Sequence, residues 1–149
     1  MTPLAIGIRV GQGAGDVELA LRVPSDLTLV AEAVDLIAAH TPPGILSPRR
    51  VHFNLRTVLA EVLANAITYG NHEDPAKHVD VRVEAGPDGV RVTVTDAGEG
   101  FDPRGIPDPT TSDALQREDG RGLFVIRHLV DAVAFNEKGN AVCLTLRAG

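Results

Sequence analysis

Aromatic residues are scarce in this chain of 149 residues, and tryptophan is absent. Phenylalanine, tyrosine and tryptophan make up 3% of the residues, whereas hydrophobic residues of all kinds make up 44%. A core must therefore be built mainly from valine, leucine, isoleucine and alanine. A chain of this length suits one domain and buries roughly 70% of the surface that its unfolded form exposes. The composition gives no indication of disorder.

Cysteine and basic charge are also in short supply. Cys143 is the only cysteine, which excludes a disulfide within the chain and a cysteine metal site. The formal net charge of −6 argues against a nucleic-acid partner, because phosphate backbones are bound by clustered Lys and Arg. The chain lacks an apolar run of membrane-spanning length, and its first residues lack the pattern of a signal peptide. These observations predict a soluble, cytoplasmic protein without a membrane or nucleic-acid partner.

The first 15 residues are rich in glycine and precede a predicted strand at 16–23. A dinucleotide-binding glycine loop follows a strand instead. We therefore interpret residues 1–15 as a flexible leader or a loosely held edge segment. Residues 16–149 contain no repeat or linker, so they are predicted to form one domain.

Apolar residues recur at helical spacing in three segments: 25–40, 48–70 and 120–131. The second segment begins with Ser47 as N-cap and Pro48 in the first turn, and it ends at Gly70. Hairpins of alternating residues are predicted around 86–89 and 136–140. Strands at the start, middle and end of the chain predict one mixed sheet that helices cover on one face.

A polar strip runs beside the apolar face of the second predicted helix. At about 100° per residue, the apolar positions from Val51 to Ala66 form a core-facing stripe. Asn54, Glu61, Asn65 and Thr68 lie next to that stripe. Glu61 and Asn65 are four residues apart and therefore adjacent on the helix surface. A carboxylate beside an amide at the rim of a buried face suits a binding site, but ordinary solvated residues give the same pattern.

Two glycine motifs follow. The first, at 96–100, is Asp-Ala-Gly-Glu-Gly directly after a predicted strand, so a carboxylate stands where glycines allow a flat ring to approach the backbone. The second, Gly-Arg-Gly at 120–122, opens a helix whose free N–H groups favour phosphate. Residues 102–119 between them form a polar loop of a length typical of functional or disordered segments. Taken singly, each motif is more often a turn or an ordinary helix start.

The order of these motifs resembles the Bergerat ATP-binding fold, the fold of gyrase-type ATPases and histidine kinases (the GHKL, or HATPase, superfamily). The resemblance covers about residues 16–147. The small size, Gly-Asn-His-Glu-Asp-Pro after the second helix, Pro-Asp-Pro in the loop and Gly-Arg-Gly-Leu resemble the anti-sigma factor serine/threonine kinases of bacterial partner switching. The resemblance implies an α+β two-layer sandwich with a mixed, mostly antiparallel sheet and helices on one face. It also implies ATP and Mg²⁺ as cofactors.

The resemblance gives each motif residue a role. Asn65 is expected to bind Mg²⁺, Glu61 to act as the catalytic base and Asp96 to hold the adenine amino group. Residues 102–119 are expected to form the ATP lid. The other expected nucleotide-binding residues are Gly98, Gly100, Gly120, Arg121, Gly122 and Leu123.

The implied function is that of a kinase that phosphorylates a serine of a STAS-type anti-anti-sigma protein, binds a sigma factor and pairs as a homodimer. A nucleotide-gated binding module with little catalysis and a detached histidine-kinase ATPase domain remain open as alternatives. Two features depart from the family pattern. Asn140 stands where many of these ATPases have an adenine-binding threonine. The chain also has no Lys or Arg between Arg22 and Arg49, where a docking residue on the first helix is expected.

Overall fold

The computed structural model describes residues 4–10, 16–98 and 126–149, which form an α+β sandwich of one sheet and one helical layer. The described strands are Ala5–Val10 (β1), Val17–Pro24 (β2), His78–Gly86 (β3), Gly89–Thr95 (β4), Ala132–Phe135 (β5) and Ala141–Arg147 (β6). The helical layer contains α1, Val30–His40, and α2, Arg56–Asn65, together with helical residues 126–129. The two-layer fold class implied by the resemblance is confirmed.

The strands are ordered β1-β2-β3-β4-β6-β5, and all five pairings between them are antiparallel. The mixed sheet predicted from the sequence would contain some parallel pairing, which the described strands do not show. Two helices lie between β2 and β3, so the chain crosses the molecule twice and β3 returns antiparallel to β2. The short strand β5 does not pair with β4, because β6 lies between them. This arrangement explains why the described strands form an antiparallel sheet.

Of the two interpretations of residues 1–15, a flexible leader or a loosely held edge segment, residues 5–10 agree with the edge segment. Residues Ala5–Val10 form the edge strand β1, which pairs with β2 in a register that joins Ala5 to Arg22 and Ile8 to Leu19. Backbone pairing holds this strand, although the side chains of Ile6 and Ile8 remain 38% and 51% exposed. The weak burial explains why the sequence shows little sign of a strand there.

The core lies between the helices and one face of the sheet. Buried and exposed residues alternate along β3 and β4, so that Val79, Val81 and Val83 face the helices while Asp80 and Arg82 face solvent. One face of the sheet is therefore covered and the other is open. No helix within the described ranges is long and apolar enough to cross a membrane.

The second helix runs from residue 48 to residue 70, as predicted, but much of its length is not regular α-helix. Its α-helical middle, α2, lies between two π-helical segments, Arg50–Leu55 and Ala66–Gly70. The predicted apolar stripe packs on the core, and Leu63 and Ile67, which lie outside it, are also fully buried. The buried face of this helix is therefore wider than the predicted stripe.

The ends of the other two predicted helices differ in detail. The first begins with a 3₁₀ turn at Leu27–Leu29 and continues as α1, which starts later than the predicted residue 25. The side chain of Asp26 delays the start because it accepts hydrogen bonds from the Thr28 N–H and hydroxyl at 2.9 and 2.6 Å. In the third, residues 126–129 are helical, and residues 120–125 lie outside the described ranges.

Candidate functional site

The C-terminal end of the second helix meets the turn that follows β4. Gly70 is the last residue of the helix, and Asp96 comes directly after Thr95 at the end of the strand. A Cβ atom on Gly70 would overlap the carboxylate of Asp96, and one on Gly98 would overlap the Gly70 carbonyl oxygen. Two motifs that are 26 residues or more apart in the sequence are thus in direct contact. Glycine is required at both positions because the backbone and the carboxylate approach so closely.

The carboxylate of Asp96 is half-buried in this turn. The Gly98 N–H donates a hydrogen bond to Asp96 Oδ1 at 2.8 Å, so the side chain closes a turn over its own backbone. Burial raises the pKa of Asp96 above its ordinary value, although the Gly98 hydrogen bond and the positive charges of Lys138, Lys77 and His72 oppose that rise. A partly desolvated carboxylate forms stronger hydrogen bonds than one in water. Asp96 is therefore suited to accept a hydrogen bond from an amine.

Two asparagines hold the backbone of the same turn. The Asp96 N–H donates to the backbone carbonyl of Asn140 at 2.9 Å, and the Asn140 side chain donates to the Asp96 carbonyl at 3.0 Å. Asn71, which follows the helix, accepts a hydrogen bond from the Ala97 N–H at 2.8 Å. The position of the carboxylate thus depends on residues from three separate stretches of the chain.

Glu61 and Asn65 lie on the second helix upstream of this contact, and both are half-buried. Asn65 is the last residue of α2, at the point where the helix widens into the π segment that ends at Gly70. It lies five residues before Gly70, which is roughly 7 Å along the axis of a helix. Residues four apart on an α-helix have Cβ atoms about 6 Å apart. The helix that ends at the Asp96 turn therefore carries both a carboxylate and an amide upstream of that turn.

The side-chain oxygen of Asn65 fits a role as a metal ligand. Asn65 makes no capping hydrogen bond to the π segment that follows it. No group of three or more His, Cys, Asp or Glu within the described part of the chain could hold a metal ion. Mg²⁺ bound by one or two protein oxygens, by phosphate oxygens and by water suits such a site.

The polar strip beside the helix has a further contact. The side chain of Asn54 donates a hydrogen bond to the backbone carbonyl of Leu129 at 3.0 Å. It thereby holds the end of the third helical segment against the second helix. All four residues of the predicted strip are half-buried, as a position at the rim predicts: Asn54, Glu61, Asn65 and Thr68.

The remaining predicted site residues cannot be compared with this geometry. Gly100, Gly120, Arg121, Gly122, Leu123 and the loop 102–119 lie outside the described residues. Their assignment stays a prediction.

Three residues of the site were not predicted to take part in it. The sequence indicates Gly70 only as a helix end, predicts no role for Asn71, and shows Asn140 only as the replacement of a threonine. A glycine at a helix terminus signals a cap, and the sequence contains no sign that a carboxylate packs on it. An asparagine in a polar stretch gives no sign of complete burial, so the role of Asn71 depends on the tertiary fold.

Comparison with known proteins identifies a family and a relative of this chain. Residues 23–146 match the family described as the histidine kinase-like ATPase domain, and this match includes α2, β4 and the Asp96 turn. The chain is also similar to the anti-sigma F factor of Oceanobacillus iheyensis, with 30% identity over 97 residues, or 61% of this chain and 66% of that relative. It thus spans slightly less than two thirds of that relative's length. The resemblance inferred from the motifs is confirmed, and the chain belongs to the histidine kinase-like ATPase domain family.

Proposed function

We propose that this protein is an ATP-dependent serine kinase of a partner-switching system, which phosphorylates a STAS-type anti-anti-sigma protein and binds a sigma factor. Membership in a family of ATPase domains implies nucleotide binding. Similarity to a protein named anti-sigma F factor supports the regulatory role. The observation that carries the proposal is the contact of the Asp96 carboxylate with Gly70, at the end of the helix that bears Glu61 and Asn65.

In this proposal the Asp96 turn binds the base of ATP. The carboxylate accepts a hydrogen bond from the exocyclic amine of adenine, and the absence of a side chain on Gly98 lets the ring lie close to the backbone. Asn65 holds Mg²⁺ through its amide oxygen. When bound, the ion neutralises charge on the phosphates. The base and the phosphates would then lie at opposite ends of the helical stretch from Asn65 to Gly70.

Glu61 supplies the base for phosphoryl transfer. The hydroxyl oxygen of a substrate serine attacks the γ-phosphorus, the bond from that phosphorus to the bridging oxygen of ADP breaks, and the serine proton moves to a carboxylate oxygen of Glu61. Glu61 lies one helical turn before Asn65, so the base stands beside the metal ligand. This placement supports a role in chemistry separate from a role in binding the nucleobase.

The charge on α1 bears on the choice of partner. Glu32 and Asp35 are exposed on this helix, and Asp35 forms an ion pair with Arg56 of α2. A partner that docks against the exposed side of α1 would therefore need basic residues. The sigma factor that we propose as a partner would therefore dock through a basic surface.

Two other functions predict different outcomes of the same experiment. The protein is incubated with Mg²⁺-ATP and a purified STAS-type protein, and serine phosphate on the latter is measured by mass spectrometry, with Glu61→Gln protein as the matched control. The kinase proposal predicts phosphate transfer by the wild-type protein that the control lacks. Tight ATP binding without transfer would favour a nucleotide-gated binding module. Phosphate on a histidine of a supplied kinase phosphoacceptor domain, and none on serine, would favour a detached histidine-kinase domain.

A further inference from the structure

Asn140 holds the backbone of Asp96, and it is itself oriented by Asn136. The Asn136 side chain donates to Asn140 Oδ1 at 2.7 Å, while its own oxygen accepts from the backbone N–H groups of Gly139 and Asn140 at 2.7 and 3.1 Å. Because the Asn140 oxygen is engaged with Asn136, its amide N–H points to the Asp96 carbonyl. The turn before β6 thus holds the Asn140 side-chain amide in one orientation, against the backbone at the end of β4.

Asn71 holds the next residue, Ala97, from the end of the second helix. Its side chain has an exposed fraction of 0%. Its oxygen accepts from Ala97 N–H, and its nitrogen donates to Ser25 Oγ at 3.0 Å and to the His78 carbonyl at 3.1 Å. A buried amide that is engaged at both its oxygen and its nitrogen has one orientation. Asn71 therefore ties the Asp96 turn to the starts of β3 and of the first helix.

The two side-chain amides act on the same peptide group, the one that joins Asp96 to Ala97. Asn140 binds both backbone polar groups of Asp96, and Asn71 binds the N–H of the residue that follows. The Asp96 carboxylate projects from this doubly held segment and rests on Gly70. Small rotations of the peptide between Asp96 and Ala97 would change where the carboxylate points.

We propose that Asn71 and Asn140 are positioning residues that aim the Asp96 carboxylate at the exocyclic amine of the bound nucleobase. They thereby set the preference for ATP over a triphosphate whose base lacks that amine. This inference rests on the proposed function, in which Asp96 binds adenine. Both asparagines act through the backbone of Asp96 and Ala97.

The preference is measured as the ratio of the dissociation constants for inosine triphosphate and ATP, obtained by titration calorimetry. Inosine carries a carbonyl oxygen where adenine carries the amine, so the two ligands differ at the group that Asp96 recognises. The wild-type protein is expected to prefer ATP. The ratio is expected to fall roughly tenfold in Asn71→Ala and in Asn140→Ala, the effect of misaligning one charge-assisted hydrogen bond. In Asp96→Asn it is expected to fall to one or below.

Thr41→Val is the matched control for loss of a buried polar group. Thr41 is 8% exposed and donates a hydrogen bond to the Ile37 carbonyl at 2.8 Å, within the end of α1. This variant should lose stability and keep the wild-type ratio. Asn71 is fully buried, so Asn71→Ala could fail to fold, in which case the ratio in Asn140→Ala alone tests the positioning role. In Asn140→Ala the Asp96 N–H keeps its hydrogen bond to the backbone carbonyl of residue 140.

The outcomes separate this inference from the function on which it rests. A wild-type protein that binds both triphosphates equally would overturn the assignment of Asp96 and the positioning role together. A wild-type preference that Asp96→Asn abolishes and that both asparagine variants retain would overturn the positioning role alone. Equal weakening of both ligands in the asparagine variants would also overturn it, since a purely structural role predicts an unchanged ratio.

Discussion

Asp96 occupies a position that costs the folded protein stability. Burial raises the pKa of its carboxyl, so the folded state binds this proton more tightly than the unfolded state does. The ionised form is therefore disfavoured in the folded state relative to the unfolded state, which lowers stability at pH values above the raised pKa. The protein therefore tolerates an unfavourable residue at the position that we propose to bind adenine, a pattern common at functional sites.

The Asp96→Asn variant is expected to unfold at a higher temperature than the wild-type protein near neutral pH, and to lose ATP affinity. Asparagine removes the desolvated charge and keeps an oxygen for the Gly98 N–H. The gain should shrink as the pH falls through the raised pKa towards 3.8, the ordinary value, because the wild-type carboxyl then becomes neutral. Thermal denaturation of both proteins across this pH range measures the difference in unfolding temperature.

Asp131→Asn provides a control of opposite sign. The hydrogen bond from the Arg147 N–H, at 2.7 Å, together with Arg50 lowers the pKa of Asp131. Its ionised form therefore stabilises the fold at neutral pH, and this variant should lose stability there and regain parity on acidification. If Asp96→Asn behaved in the same way as Asp131→Asn, the burial argument for Asp96 would be wrong.

Gly70→Ala is expected to weaken nucleotide binding by displacing Asp96. The new methyl group would overlap the Asp96 carboxylate, so either the side chain or the helix end must move. Overpacking of this kind costs about 1–3 kcal/mol in the free energy of unfolding. Gly7→Ala in β1 is the control, because its Cβ would lie 3.9 Å from the Ala20 carbonyl oxygen, the nearest atom outside its own stretch of chain. Equal ATP affinity in both variants would contradict the contact.

At the scale of secondary-structure elements, the second helix joins the proposed catalytic residues to the proposed nucleobase site. Its middle is α-helical and carries Glu61 and Asn65, and its end is π-helical and carries Gly70. The periodic apolar residues from 51 to 66 suffice to predict the helix and its buried face. The π segments carry no pattern of their own in the sequence. The second of them ends in the turn at Asn71, whose N–H donates to the Ala66 carbonyl at 2.8 Å.

Asn65→Ala is expected to weaken the binding of Mg²⁺-ATP by at least about tenfold, because the side-chain oxygen that we propose to hold the ion is lost. The same variant should bind ATP as the wild-type protein does when EDTA removes Mg²⁺. Thr68→Ala, from the same polar strip, serves as control and should bind normally in both conditions. Unchanged affinity of Asn65→Ala for Mg²⁺-ATP in calorimetric titration would refute the metal assignment.

Glu61→Ala is expected to separate chemistry from binding. Removal of a general base lowers the rate by ~10²–10⁴, so phosphate transfer to a serine partner should fall by that factor in single-turnover assays. ATP affinity should change little, because Glu61 lies on α2, away from the Asp96 turn. Equally fast phosphorylation by the variant would show that the base is elsewhere.

At the scale of the whole molecule, the antiparallel sheet brings together residues that are far apart in the chain. Hairpin and helix signals predict the elements, and the motif order identifies the fold. The pairing of β4 with β6 depends on long-range contacts, and it is this pairing that places Asn140 beside Asp96. The complete burial of Asn71 depends on the same tertiary packing. The sequence therefore predicts Glu61, Asn65 and Asp96 as site residues and does not predict what holds Asp96 in place.

The free edge of the sheet bears on self-association. No other described strand pairs with the outer side of β1, and Ile6 and Ile8 are exposed there. We propose that the expected homodimer forms when β1 pairs with β1 of a second copy. Ile8→Lys should then give monomers in light scattering over a range of protein concentrations. Ala134→Lys, on the opposite edge strand β5, should leave the dimer intact, and a wild-type monomer at every concentration would contradict the proposal.

Pairing through β1 also limits how far such an assembly can grow. A two-fold contact uses the same edge of both copies, so among the described strands the joined sheet ends in a β5 strand on either side. Each β5 has four residues, against six in β1, and a short edge is a poor template for adding further chains. The strand order thus favours a closed dimer over an open fibre. The exposed isoleucines of β1 therefore need not make the protein prone to aggregate.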